Sequence, residues 1–136
     1  MRKQVSLLLL LILLLSSCHY HKDKLIIRNK TANKIYYETL VRDKNYFDYY
    51  QSSAGGVIPI YGTESPIVRG NANSINDELV QNSYDSYLYI VYYAQKDQEY
   101  VNKNIGNIVF DKRFKVDKYS LKELDSLNWT ITYDGN

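Results

Sequence analysis

Eight residues, Tyr87 to Ala94, constrain the fold most. Leu88, Ile90, Tyr92 and Ala94 alternate with Tyr87, Tyr89, Val91 and Tyr93, so a period of two lays an apolar or aromatic row on each face. Aromatic and β-branched side chains fit pleated, packed surfaces. The octet is therefore expected as a strand central to its sheet.

Strand-like segments recur on both sides of it. Leu25 to Ile27 and Lys34 to Leu40 flank Asn29-Lys30-Thr31-Ala32-Asn33, whose Asn and Thr content favours a turn, and the two segments are expected as a β-hairpin. Val41 to Gly56 is polar, carries Tyr46, Phe47, Tyr49 and Tyr50, and ends in Gly55-Gly56. It predicts a long loop closed by a turn, and a loop of that length in a small domain tends to carry function. Val57 to Ile60 and Pro66 to Arg69 read as brief edge strands, each marked by a proline that removes a ladder donor. Ser74 reads as the N-cap of a short helix that turns Ile75, Leu79 and Val80 to one side. Asn107 to Val116 reads as a strand with a bend or bulge near Asp111 to Arg113. Ser120-Leu121-Lys122-Glu123 is a capping box, opening a helix with Leu121, Leu124 and Leu127 on one side. Trp129 to Tyr133 then closes the domain as a strand with Trp129, Ile131 and Tyr133 inward. The class is mainly β: an antiparallel β-sandwich, Ig-like or Greek-key in type, with one or two short helices.

The N-terminus has a different character. Arg2 and Lys3 precede an apolar run from Val5 to Leu15, which is about half of the roughly 20 residues that a membrane-spanning helix requires. A short apolar core between a basic start and small residues is the plan of a cleavable signal. Leu15-Ser16-Ser17-Cys18 closely resembles the lipobox of bacterial lipoprotein signals. That resemblance implies removal of residues 1–17 and acylation of Cys18, which leaves a lipidated tether over 18–23 and one β-rich domain over 24–136. The residue after the cysteine is His19, not the aspartate that holds enterobacterial lipoproteins in the inner membrane, so the outer membrane is the expected address. Surface display in some lipoprotein groups goes with a lysine followed by paired acids; Lys22-Asp23-Lys24 has one acid, which leans toward the periplasmic leaflet.

Charge and rare residues exclude more than they assign. Removing the signal takes Arg2 and Lys3 from 17 basic residues, leaving the rest balanced against 15 acidic ones. Lys112, Arg113, Lys115 and Lys118 are interrupted by Asp111 and Asp117, so the clustered basic face that nucleic acid calls for is missing. Cys18 is the one cysteine, and a lipidated sulfur forms no disulfide, nucleophile or thiolate metal site. His19 and His21, the two histidines, lie in the expected tether, where no rigid pocket orients an imidazole for catalysis. His19-Tyr20-His21 reads as a plain polar tether, with no third ligand for a metal. Asp43, Asp48, Asp77 and Glu78 are the carboxylates to weigh for glycoside hydrolysis, where spatial separation decides; in sequence they read as loop and helix-start residues. Gly55-Gly56 lacks the lysine of a phosphate loop. No catalytic residue, metal or cofactor is expected.

Four features in order are Ile27-x-Asn29-x-Thr31 before Ile35-Tyr36-Tyr37, then Leu88-Tyr89-Ile90, then Tyr119-Ser120-Leu121, then Leu127-Asn128-Trp129-Thr130-Ile131-Thr132-Tyr133. In these the chain resembles a group of small uncharacterised lipoproteins of Gram-negative gut bacteria. The resemblance spans most of the mature chain, is specific at its ends and departs between Val41 and Ser83. It implies a fold and a location, and brings no activity. All 15 tyrosines lie beyond the signal. Most suit strands, but Tyr46, Phe47, Tyr49 and Tyr50 fall in the expected loop, where rings with hydroxyl tips offer a surface to sugar or protein. The expectation is a non-catalytic envelope module held at the membrane by lipid. It would bind a protein or glycan partner or serve in assembly, inhibitors of incoming toxins included. The alternative is a hydrolase using carboxylates or tyrosine.

Overall fold

The computed structural model describes residues 20–46 and 48–135. The expected signal, the lipidation site Cys18, His19 and Phe47 lie outside the described residues. Nine strands and three short α-helices are described: β1 Tyr20–Lys22, β2 Ile26–Asn29, β3 Ile35–Asp43, β4 Tyr50–Ile58, β5 Thr63–Glu64, β6 Ile67–Arg69, α1 Ser74–Gln81, β7 Ser83–Tyr93, α2 Gln98–Lys103, β8 Lys115–Ser120, α3 Leu121–Ser126 and β9 Thr130–Tyr133. Short 3-10 turns stand at Gln95–Asp97 and Ile108–Phe110. One antiparallel sheet runs β4-β3-β7-β8; a second runs β5-β2-β9 with β2 and β9 parallel; β1 and β6 form an antiparallel pair. The fold is mainly β, mostly antiparallel and layered as a sandwich. Among the described residues no helix is long and apolar enough to cross a membrane.

The alternation of the Tyr87–Ala94 octet becomes two separate cores. On one face Leu88, Ile90 and Tyr92 join Tyr37 and Val41, and pack on Ile27 and Ile131 of the second sheet and on Ile75 and Leu79 of α1. On the other, Tyr89, Val91 and Tyr93 join Leu40 and Tyr50 beneath Val101 of α2 and Ile108. Each fully buried aliphatic side chain stabilises the fold by about 1.5–3 kcal/mol relative to exposure, so a strand covered on both faces, as β7 is, becomes the centre of the molecule.

Several expectations are corrected. β2 and β3 do not form a hairpin, because β2 lies between β5 and β9 while β3 lies between β4 and β7. The turn between them is instead a crossover from one sheet to the other. Buried Asn29 shapes it, donating to the carbonyls of Asn33 (2.7 Å) and Pro59 (3.0 Å) and accepting from the Thr31 amide and hydroxyl (both 2.8 Å). The long loop shrinks to residues 44–49, since β3 runs on to Asp43 and β4 starts at Tyr50. Gly55-Gly56 is no turn: it lies inside β4 opposite Glu38 and Tyr37, where an added Cβ would run into those side chains. The strand expected over Asn107 to Val116 is a 3-10 turn followed by a tight turn. The Asp111 carboxylate there accepts from the Arg113 amide (3.1 Å) and guanidinium (2.6 Å), and β8 begins only at Lys115. Val80 points away from the core, 61% exposed, while Ile75 and Leu79 are buried as expected.

Residues 20–23 of the expected tether also fold. Tyr20–Lys22 pairs with Ile67–Arg69, and Asp23 beyond it is buried. The Asp23 carboxylate accepts from the Leu25 amide (2.9 Å) and from the Ile75 amide in the first turn of α1 (3.1 Å). It takes the capping role expected of Ser74, whose hydroxyl donates instead to the Asn71 carbonyl (2.6 Å). Burial pushes the Asp23 carboxyl above its ordinary pKa, while the two amides oppose the shift.

Candidate functional site at the β3–β4 hairpin tip

The Asp43 carboxylate closes the start of the tip by accepting from the Asn45 (2.7 Å) and Tyr46 (2.9 Å) amides. Short acids commonly organise turns this way. The Tyr49 amide donates to the Tyr46 carbonyl (2.7 Å) and the Asp43 amide to the Tyr49 carbonyl (2.9 Å). Two neighbours hold the tip from outside. The Lys44 amide and ammonium donate to the Asn82 and Gln81 carbonyls at the end of α1, and the Tyr50 amide donates to the Gly106 carbonyl (3.1 Å).

This framework separates the aromatic residues. Tyr46 and Tyr49 stand 72% and 46% exposed, whereas Tyr50 is 5% exposed in the second core. The Tyr50 ring meets Tyr89 edge-on at 5.0 Å and Phe110 at 5.5 Å between centroids. It serves packing and drops out as a surface residue; Phe47 lies outside the described residues.

Tyr46 and Tyr49 share a cleft of about 480 Å³ with Asn45, Asp48 and Asn107. Its floor depends on a glycine, since the Tyr49 ring lies so close to Gly106 that an added Cβ there would collide with it. The side-chain amides of Asn45 and Asn107 make no hydrogen bond among the described residues. Asp48 pairs with Arg42 at 3.8 Å, and Arg42 also lies over the Tyr84 ring at 4.8 Å. Arg42 and Lys44 thus balance Asp43 and Asp48, and the tip carries no net charge. Such a site offers ring faces, uncommitted amides and one carboxylate. It can hold a ligand by stacking and hydrogen bonding.

The remaining carboxylates weighed for chemistry are committed locally. Glu78 accepts from the Gln51 (2.9 Å) and Asn82 (3.0 Å) side-chain amides, and Asp77 from Asn71 (3.4 Å). Among the described residues no three His, Cys, Asp or Glu side chains gather as a metal ion requires. Two larger clefts, of about 580 and 510 Å³, hold mostly engaged charges: Glu123 in the α3 capping box, Lys118 over the Tyr87 ring, Arg113 on Asp111 and Lys115 on Asp134, with Lys122, Lys34 and Asp97 also on their walls. Gly106 and Asn107 are the site residues that the sequence concealed. They come to Tyr49 from nearly sixty positions away, with no local pattern to link them. No family model, curated protein or solved structure matches the chain.

Proposed function

We propose that the chain is a non-catalytic envelope lipoprotein, held in the outer membrane through acylated Cys18, whose domain captures a protein or glycan partner at the β3–β4 tip. The partner reading is carried by Tyr46 and Tyr49, two exposed rings lining one cleft on a loop pinned to α1 and Gly106. Exposed tyrosines give a large contact area at low entropic cost and keep a hydroxyl for bonding, and a pinned loop loses little further freedom on binding. The location rests on Leu15-Ser16-Ser17-Cys18. Since β1 begins at Tyr20, the domain would start within about 7 Å of the anchor, at about 3.4 Å per extended residue.

A crosslinking pull-down from intact cells tests the site. The double variant Tyr46→Ser, Tyr49→Ser should keep the wild-type melting temperature and lose the partner; capture by the folded variant removes the tip from the proposal. Labelling with a fatty-acid analogue tests the anchor: Cys18→Ala should abolish the label, and a variant still labelled would place the lipid elsewhere.

A further inference from the structure

Within that reading of the tip as a partner site, we infer that its ligand is an uncharged carbohydrate chain. Four observations converge. The cleft is open and of about 480 Å³, inside the range of about 300–1,000 Å³ usual for small-ligand sites; a protein partner calls for a broad surface of about 800 Å² on each side. Tyr49 lies against Gly106, lines the cleft and is 46% exposed, and a sugar's C–H face packs on such a ring as other apolar faces do. The Asn45 and Asn107 amides beside the rings each carry a donor and an acceptor, the combination that adjacent hydroxyls satisfy. Asp48 is the one charged side chain lining the cleft, and Arg42 pairs with it at 3.8 Å, so the site has little net charge to reward an anionic or cationic ligand.

Electrophoresis of the folded domain through native gels containing amylopectin, laminarin, galactomannan or arabinoxylan tests this, with alginate as the anionic control. At least one neutral polymer should retard the protein, and about 1 M NaCl, which screens charge to about 3 Å, should leave the retardation in place. Tyr49→Ala and Tyr46→Ala should each weaken binding about tenfold or more, equivalent to about 1.4 kcal/mol. Gly106→Ala should do the same by displacing the Tyr49 ring while leaving every ligand-facing side chain intact. Retardation that survives all three substitutions overturns the assignment to this cleft. Retardation by alginate alone, abolished by salt, overturns the neutral ligand. If no neutral polymer binds while the pull-down still captures a protein through Tyr46 and Tyr49, the carbohydrate inference fails and the partner site stands. If neither assay depends on those tyrosines, both fail.

Discussion

Asp23 shows how far one side chain can depart from its place in the sequence. Beside Lys22 and Lys24 it looks like part of a solvated tether, yet it is buried and ties the chain entry to the first turn of α1. Its folded-state pKa lies above the unfolded value of 3.8, chiefly through desolvation, so between the two values the folded chain binds more protons than the unfolded chain. Its contribution to stability is therefore largest in acid and falls as pH rises past 3.8. Thermal melts of the wild type and Asp23→Asn should show the wild type gaining relative to the variant as pH drops from 7 toward 4; a constant difference would mean that the carboxyl titrates as it does unfolded. Tyr49 and Tyr50 make the second residue-scale contrast. Both are tyrosines in one polar stretch, and only the pairing of β4 with β3 turns Tyr50 inward. Tyr50→Ala should cost about 3–5 kcal/mol, as for other buried large aromatics, and Tyr49→Ala no more than about 0.5 kcal/mol. Urea unfolding measures both, and equal losses would place Tyr49 in the core.

At the scale of elements, what the sequence reveals depends on how local the cause is. The α3 capping box lies within four residues and is present as expected: the Glu123 amide donates to the Ser120 hydroxyl and the Ser120 amide to the Glu123 carboxylate. Ser120→Ala should therefore destabilise by about 1 kcal/mol, read as a lower urea midpoint at unchanged slope. The cap of α1 escaped the same reading because its acceptor, Asp23, sits 52 positions from Ile75. β4 escaped because Gln51-Ser52-Ser53 and Gly55-Gly56 hide the strand period; Gly55 leaves room for the Glu38 carboxylate and Gly56 for the Tyr37 ring, both reaching across from β3. The crossover between β2 and β3 is hidden for a related reason. Turn chemistry at Asn29 and Thr31 is visible in sequence, but whether a turn folds two strands together or carries the chain between sheets depends on which strands claim their edges. The tip site divides the same way, with Tyr46 and Tyr49 marked by composition and Gly106 and Asn107 brought in by tertiary contact alone.

The molecule as a whole is closed by its last strand. β9 pairs in parallel with β2, joining the chain's C-terminal end to its N-terminal layer, and Trp129 is the hinge residue before it. Asn128 and Trp129 stand at φ 48° and 55°, a left-handed conformation that costs a non-glycine residue about 1–3 kcal/mol and persists only where its surroundings hold it. Here three partners do so. The Trp129 backbone amide donates to the Leu124 carbonyl (2.8 Å), its indole N–H donates to the Asp125 carboxylate (2.8 Å), and the Lys24 ammonium lies 3.6 Å from the ring centre. The indole is 6% exposed in the same core as Leu124, Ile27 and Ile131. Trp129→Ala should accordingly cost about 3–5 kcal/mol of stability. The loss should be unevenly felt, because β3 and β7 keep their second core untouched while β2 and β9 lose the side chain that seats them. Native-state hydrogen exchange of the variant should quicken most at the amides of β2 and β9 and least at those of β7. Uniform quickening across all strands would show that the two sheets open as one unit and that Trp129 has no special hold on the closing strand.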